Sequence, residues 1–362
     1  MKRIIMLLLA CCLLVGAAAA AGGSGTAADP YIIQTAAELQ SMQNNLAAYY
    51  KLGNDINLQG ISFTSIGSPS TPFIGSFDGA GYTISNMVMS SSTESTGFFS
   101  CLGSGAIVKN TIFQDCSVTS TSSWCGVVIG SIIMSSSVHE TATISNVDCV
   151  RCSASTDGDN VGCLVGLIYS FAMVDIIDCD ISYSDAESLS FSNVACLVGQ
   201  CNNAPSTKIT NCNVLYSHAR ANRACVSFFV GRCADGSSLV IDSSSAHNSV
   251  VESLNNGEVG CFVGHCYLSH NVNLFNCDAV NCIIIGYNYV GGIIGDCQTS
   301  DYIITAQMCD VSDCTIVAST KYAGGVAGHC TSGTTGIFSG CSVTDTTIIA
   351  SDYAAGVCPA YS

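Results

Sequence analysis

Seven five-residue segments place a large apolar residue between small ones, at Val128, Leu164, Leu197, Phe229, Phe262, Ile293 and Val326. A glycine follows each by two positions. Five also have a glycine two positions before (126, 162, 260, 291, 324), while Ala195 and Ser227 fill the other two slots. The second glycines (130, 166, 199, 231, 264, 295, 328) are spaced 36, 33, 32, 33, 31 and 33 apart. A fixed period of this size predicts stacked repeats, each burying its apolar face against its neighbours. Within one repeat the pattern predicts three short β-like pieces, Gly260–Gly264, Val272–Val280 and Cys282–Gly286. Their β-branched residues argue for strands. The repeats lack the three-and-four spacing of a helical solenoid. The predicted fold is all-β, a right-handed parallel β-helix of about eight coils over 96–362.

Columns follow from stacking. The apolar centres of the glycine motif are predicted to point inward. A cysteine column is predicted at Cys116, Cys149, Cys179, Cys212, Cys277, Cys309 and Cys341, with Ser244 in one coil. Strand alternation puts these inside with Ile177 and Ile181, and puts Asp178 and Asp180 outside. A second column, Cys201, Cys233, Cys266, Cys297 and Cys330, precedes the first by 11 or 12 residues in the same coil. Disulfides Cys201–Cys212, Cys266–Cys277, Cys297–Cys309 and Cys330–Cys341 are therefore expected. The alternative is buried, unpaired thiols packing as small hydrophobes.

The first 95 residues differ. Lys2 and Arg3 precede an apolar run from Ile4 to Val15 and small residues from Gly16 to Ala21. That is the form of a secretory signal over 1–21, too short to span a bilayer. The alternative is an uncleaved anchor. Thr35-Ala36-Ala37-Glu38 has the capping-box pattern, and Leu39, Met42 and Leu46 follow at helical spacing. Residues 22–95 are predicted to form an N-terminal cap with the first strands, which a stack with exposed edges needs. At the other end the pattern restarts at Tyr353-Ala354-Ala355-Gly356 and stops at Ser362. End-to-end self-association is expected there, or a truncated gene.

With these residues in view, the chain resembles the GLUG-repeat right-handed β-helix proteins. The repeat stands here as Gly162-Cys163-Leu164-Val165-Gly166, Ala195-Cys196-Leu197-Val198-Gly199 and Gly260-Cys261-Phe262-Val263-Gly264. The opening is similar too: Tyr50 to Leu58, Ile66-Gly67, then Phe73 to Ile84. The resemblance implies a secreted or surface protein, adhesin-like, and supplies no catalytic residues. The abundant cysteines depart from the family pattern.

Candidate chemistry lies on the outward face beside the first cysteine column: Asp148, Asp178, Asp180, Asp278 and Asp310, with Arg151 expected in the column of Val118 and Ile181. Repelling carboxylates on adjacent coils could be bridged by Ca²⁺. An acidic face with a basic residue is similar to that of β-helix polysaccharide lyases. The plainer alternative is a solvated exterior, with Arg151 turned to solvent by a register slip. A further column, Gln200, Arg232, His265, Asp296 and His329, reads as an exposed turn, or as a metal or pH-sensitive stack.

The whole chain carries a net charge of −16 and has 24 cysteines. Loss of Lys2 and Arg3 with the signal would leave −18, with 22 cysteines. Such charge disfavours nucleic acid and anionic lipid as partners. No second apolar run reaches 18 residues, so no membrane span is expected after the signal. The function expected is non-enzymatic: binding or structure towards extracellular glycan or protein surfaces, with no cofactor other than Ca²⁺. The alternative is a polysaccharide lyase or glycoside hydrolase on the same scaffold.

Overall fold

Buried and exposed residues alternate along short stretches of every coil, and the backbone follows them into strands. The structure is a computed structural model. It describes residues 22–359 except 136–139, 189, 191–192, 224, 300–301 and 332, so the expected signal segment lies outside the described residues. The chain is an all-β parallel solenoid of about nine turns. Its strands stack into sheets of 19, nine, eight and eight members. The largest sheet takes two strands from most coils.

One coil shows the construction. It holds five strands: Val259–Gly260, Val263–Tyr267, Val272–Phe275, Asp278–Val280 and Ile283–Gly286. The predicted second piece is thus cut in two. The cut is Asn276, in the left-handed region at φ 51°, and a second corner follows at Asn281, φ 52°. Both corners recur coil after coil, at Asn146, Asp178 and Asn211 and at Asp115, Asn248 and Asp313. Asn and Asp accept this conformation at lower cost than most side chains.

Each corner resets the in–out alternation. Ile176 therefore enters the core, while Ile177, expected inside, is only partly buried. The same effect moves Cys149. Asn146 takes the corner in that coil, and Cys149 stacks over Ile181 rather than joining Cys179. Cys116 and Cys152 belong instead with Ser184, since Ser117, Ser153 and Asp185 are in register.

At most corners the following residue points inward, and its N–H finds its acceptor in the next coil's side chain; Val147, after Asn146, offers none. Cys152 N–H donates to Ser184 Oγ (2.9 Å), Ser184 to Ser217 Oγ (3.1 Å) and Ser217 to Ser249 Oγ (3.0 Å). Cys282 N–H donates to Cys314 Sγ at 3.4 Å. Each hydroxyl or thiol donates in turn to the carbonyl two residues back, as Ser184 does to Ser182 (2.9 Å) and Cys179 to Ile177 (3.3 Å). A short side chain that both accepts and donates satisfies a buried corner, and Ser, Thr and Cys supply it at most of them.

No disulfide joins the 22 described cysteines, 20 of which are buried. The four expected within-coil disulfides are not formed. Cys201, Cys266, Cys297 and Cys330 stack in register on their own column with Cys233. Their proposed partners Cys212, Cys277, Cys309 and Cys341 sit at corners, bonded to carbonyls. The apolar centres of the glycine motif are fully buried, and Phe229 and Phe262 stack at 4.6 Å.

Near the N-terminus a helix spans Ala36–Ser41. Thr35 and Glu38 cap it reciprocally: Glu38 N–H donates to Thr35 Oγ1 (3.2 Å) and Thr35 N–H to Glu38 Oε2 (3.0 Å). Leu39 and Met42 are buried against the first coils. No described helix is long and apolar enough to cross a membrane.

Candidate functional site

The acidic residues form a ladder along the axis. Asp180, Asn213, Ser245, Asp278, Asp310 and Ser342 are in register, and Asp148 stands one coil before Asp180. Asp148 Oδ1 accepts from Asp180 N–H at 3.0 Å. Asp180 Oδ1 accepts from Asn213 N–H (3.0 Å) and Nδ2 (2.9 Å). Asp310 Oδ1 accepts from Ser342 N–H (3.2 Å) and Oγ (2.6 Å). Burial raises the Asp148 carboxyl, and burial followed by the charge of Asp310 raises that of Asp278.

The other two predicted members lie elsewhere. Asp178 is an exposed corner, accepting from Asn211 Nδ2 at 2.5 Å. Arg151 is a corner of the other set (φ 53°), and is not in the column of either Val118 or Ile181. Its guanidinium holds Asp115 through Nε (2.7 Å) and Nη2 (2.9 Å), which keeps the exposed Asp115 carboxyl below its usual range. No register slip occurs at Asn146, because the strands on both sides of it keep one register with the next coil; Arg151 faces outward because it is itself a corner. These six residues are spread along a face rather than gathered at a point.

The column after the second glycine behaves differently. Arg232, His265, Asp296 and His329 are in register, but they do not form an exposed turn. Gln200, Asp296 and His329 are only 6%, 4% and 3% exposed. The glycine motif causes this. A Cβ on Gly264 would stand 2.5 Å from Gly231 O and 2.9 Å from Val226 N, and one on Gly260 2.2 Å from Val263 O. Without those carbons the two strands of the motif fold closely together, and their outer faces form a narrow groove.

The second wall is the column just before the shorter strand. Register aligns Asn160, Asn193, Cys225, Glu258, Tyr289, Tyr322 and Tyr353. Asn193 Nδ2 donates to Asn160 Oδ1 at 2.9 Å. Tyr289 stacks on His329 with ring centroids 4.2 Å apart. Lys321 Nζ donates to Tyr289 Oη at 3.0 Å.

At mid-groove a thiol, a carboxylate and an imidazole converge. Cys225 Sγ lies 3.4 Å from Glu258 Oε2 and 3.7 Å from His265 Nδ1. His265 Nε2 lies 3.6 Å from Asp296 Oδ2, whose Oδ1 is 2.9 Å from His329 Nδ1. Burial lowers the pKa of His265, against the pull of Asp296 and Glu258. Burial, then the charge of Glu258, raises the Cys225 thiol. Arg232 stacks on Tyr267, its Cζ 4.8 Å from the ring centre. Sequence reasoning passed over Cys225 and Glu258. The signal was their constant place, directly before Val226-Ser227 and Val259-Gly260.

No family model matches the chain. A stretch of 116 residues is 39% identical to halomucin of Haloquadratum walsbyi (strain DSM 16790 / HBSQ001). That match covers 30% of this chain and only 1% of the halomucin length. Among solved structures, a "putative immunoglobulin A1 protease" from Bacteroides ovatus superposes with a TM-score of 0.60, over 71% of this chain and 77% of that one. At 23% identity the likeness is one of fold.

Proposed function

We propose that the protein is an extracellular, non-enzymatic β-solenoid of the GLUG-repeat kind, which binds glycan or protein surfaces along its outer corners. In this reading the coil is right-handed, about eight repeats follow a capping segment at 22–95, and 1–21 directs export. The apolar start at Ile4–Val15, the acidic exterior and the halomucin-like stretch support it.

The observation that carries it is Tyr183 and Tyr216. They stand at left-handed corners, φ 52° and 50°, where Asn or Asp is the low-cost choice. They are 58% and 53% exposed and stack with centroids 5.0 Å apart and planes within 7°. A bulky residue held there costs on the order of 1–3 kcal/mol. Strain kept on an exposed aromatic pair fits a surface used for contact, since such rings offer apolar area with a polar tip.

The test is Tyr183→Asn with Tyr216→Asn. Glycan-array and cell-surface binding should fall at least tenfold, while the melting temperature stays the same or rises. Undiminished binding by the double variant would overturn the reading.

A further inference from the structure

We infer that Cys225, Glu258 and His265 form a binding site for a single zinc-type divalent cation, a role separate from the surface binding proposed above. The three donor atoms come from neighbouring coils and all lie within 4.8 Å of one another. Tetrahedral zinc with usual bond lengths holds sulfur and nitrogen about 3.6 Å apart. Here Sγ is 3.7 Å from Nδ1 and 3.4 Å from the carboxylate oxygen. Sulfur, nitrogen and oxygen donors together suit a borderline cation rather than Ca²⁺ or Mg²⁺.

The thiol is placed unlike those of the interior columns; among the buried cysteines only Cys101 shares its position outside the interior cluster. Val226, the next residue, points into the core, so Cys225 faces the groove and stands outside the interior cluster. It does not take part in the corner relay that occupies the columns of Cys179 and Cys282.

The surroundings supply what a metal-bound histidine needs. With Nδ1 on the metal, the proton of His265 resides on Nε2. That nitrogen is buried and faces Asp296 at 3.6 Å. Asp296 is itself held by His329 at 2.9 Å. A carboxylate behind the ligating imidazole fixes ring orientation and tautomer. Binding replaces the Cys225 S–H bond with an S–metal bond and releases that proton to solvent. Three protein ligands leave the fourth tetrahedral position to water.

The site is tested on the full chain, stripped with a chelator and titrated with Co²⁺ and then Zn²⁺. One Co²⁺ per chain should give the thiolate charge-transfer band and intense visible bands of a four-coordinate ion. Zn²⁺ should displace it, with release of about one proton. Cys225→Ser should abolish the charge-transfer band, and Glu258→Gln should weaken binding without removing it. Asp296→Asn should weaken binding roughly 10- to 100-fold. Cys266→Ser, on the inward side of the same strand, should change nothing. Should Cys225→Ser unfold, loss of the visible bands in a folded His265→Gln chain serves instead. A wild-type chain that gives no band, or a band that survives in folded Cys225→Ser or His265→Gln chains, overturns the site. So does a metal-free result in which Cys225 alkylates rapidly at neutral pH through His265, because that would make the thiol a nucleophile.

Discussion

Two sets of polar side chains are buried in this solenoid, and they are built on opposite plans. The corner columns inside the coil repeat one chemistry. Ser184, Ser217 and Ser249 each accept from the coil before and donate to their own strand. The groove column changes at every coil, from Gln200 through Arg232, His265 and Asp296 to His329. A column that satisfies itself along the axis is structure. One that alternates charge and meets a second wall of thiol, carboxylate and phenol has bonding capacity turned towards a ligand.

The groove is most vulnerable at the glycines that hold its walls together. Gly264→Val should cost about 3 kcal/mol or more by forcing apart the backbone of three adjoining strands. Denaturant titration would show it, and the Co²⁺ site should go with it. At the corners, Cys212→Val should cost about 1–3 kcal/mol, because the Cys179 N–H loses the Cys212 sulfur it meets at 3.4 Å. Cys212→Ser should cost under about 1 kcal/mol, since Ser244 already fills the next place in that column. Equal losses for the two variants would refute the relay.

The groove should respond to mild acid. His265 is held neutral by burial, so its folded pKa lies below the unfolded value of about 6.5. The unfolded chain then binds more protons, and stability should fall as pH drops below about 6.5, by at most about 1.4 kcal/mol per pH unit. His265→Gln should flatten that slope in thermal melts between pH 7.5 and 5.5. The smallest effect is expected from reductant. With no disulfide among the described cysteines, the melting temperature should be unchanged by a thiol reagent. Burial pushes Cys125 and Cys201 up to about 12, which keeps them unreactive near neutral pH.

The period, the parallel strands and the inward apolar centres were legible because every coil repeats them. The capping box was legible because its hydrogen bonds are local. The left-handed corners were not. Asn276 and Asn281 look like ordinary outward strand residues until each is seen to break the alternation. That oversight misplaced Ile177, Cys149 and Arg151 together. Cysteine spacing suggested bridges, because one residue type serves both for cross-linking and for two-way hydrogen bonding at a corner. The groove was hidden for another reason. His265 and Cys225 lie 40 positions apart, more than one period, and their walls meet only through a turn whose tightness depends on absent Cβ atoms.

Because the bonds between coils run along the long axis, the molecule is a spring with its links in series. Tension applied from end to end would peel turns away singly rather than shear the whole stack. Each release would free about 32 residues, on the order of 100 Å of slack. A rod anchored at one end and gripped at the other would thus absorb a tug in steps and re-coil when the load eases.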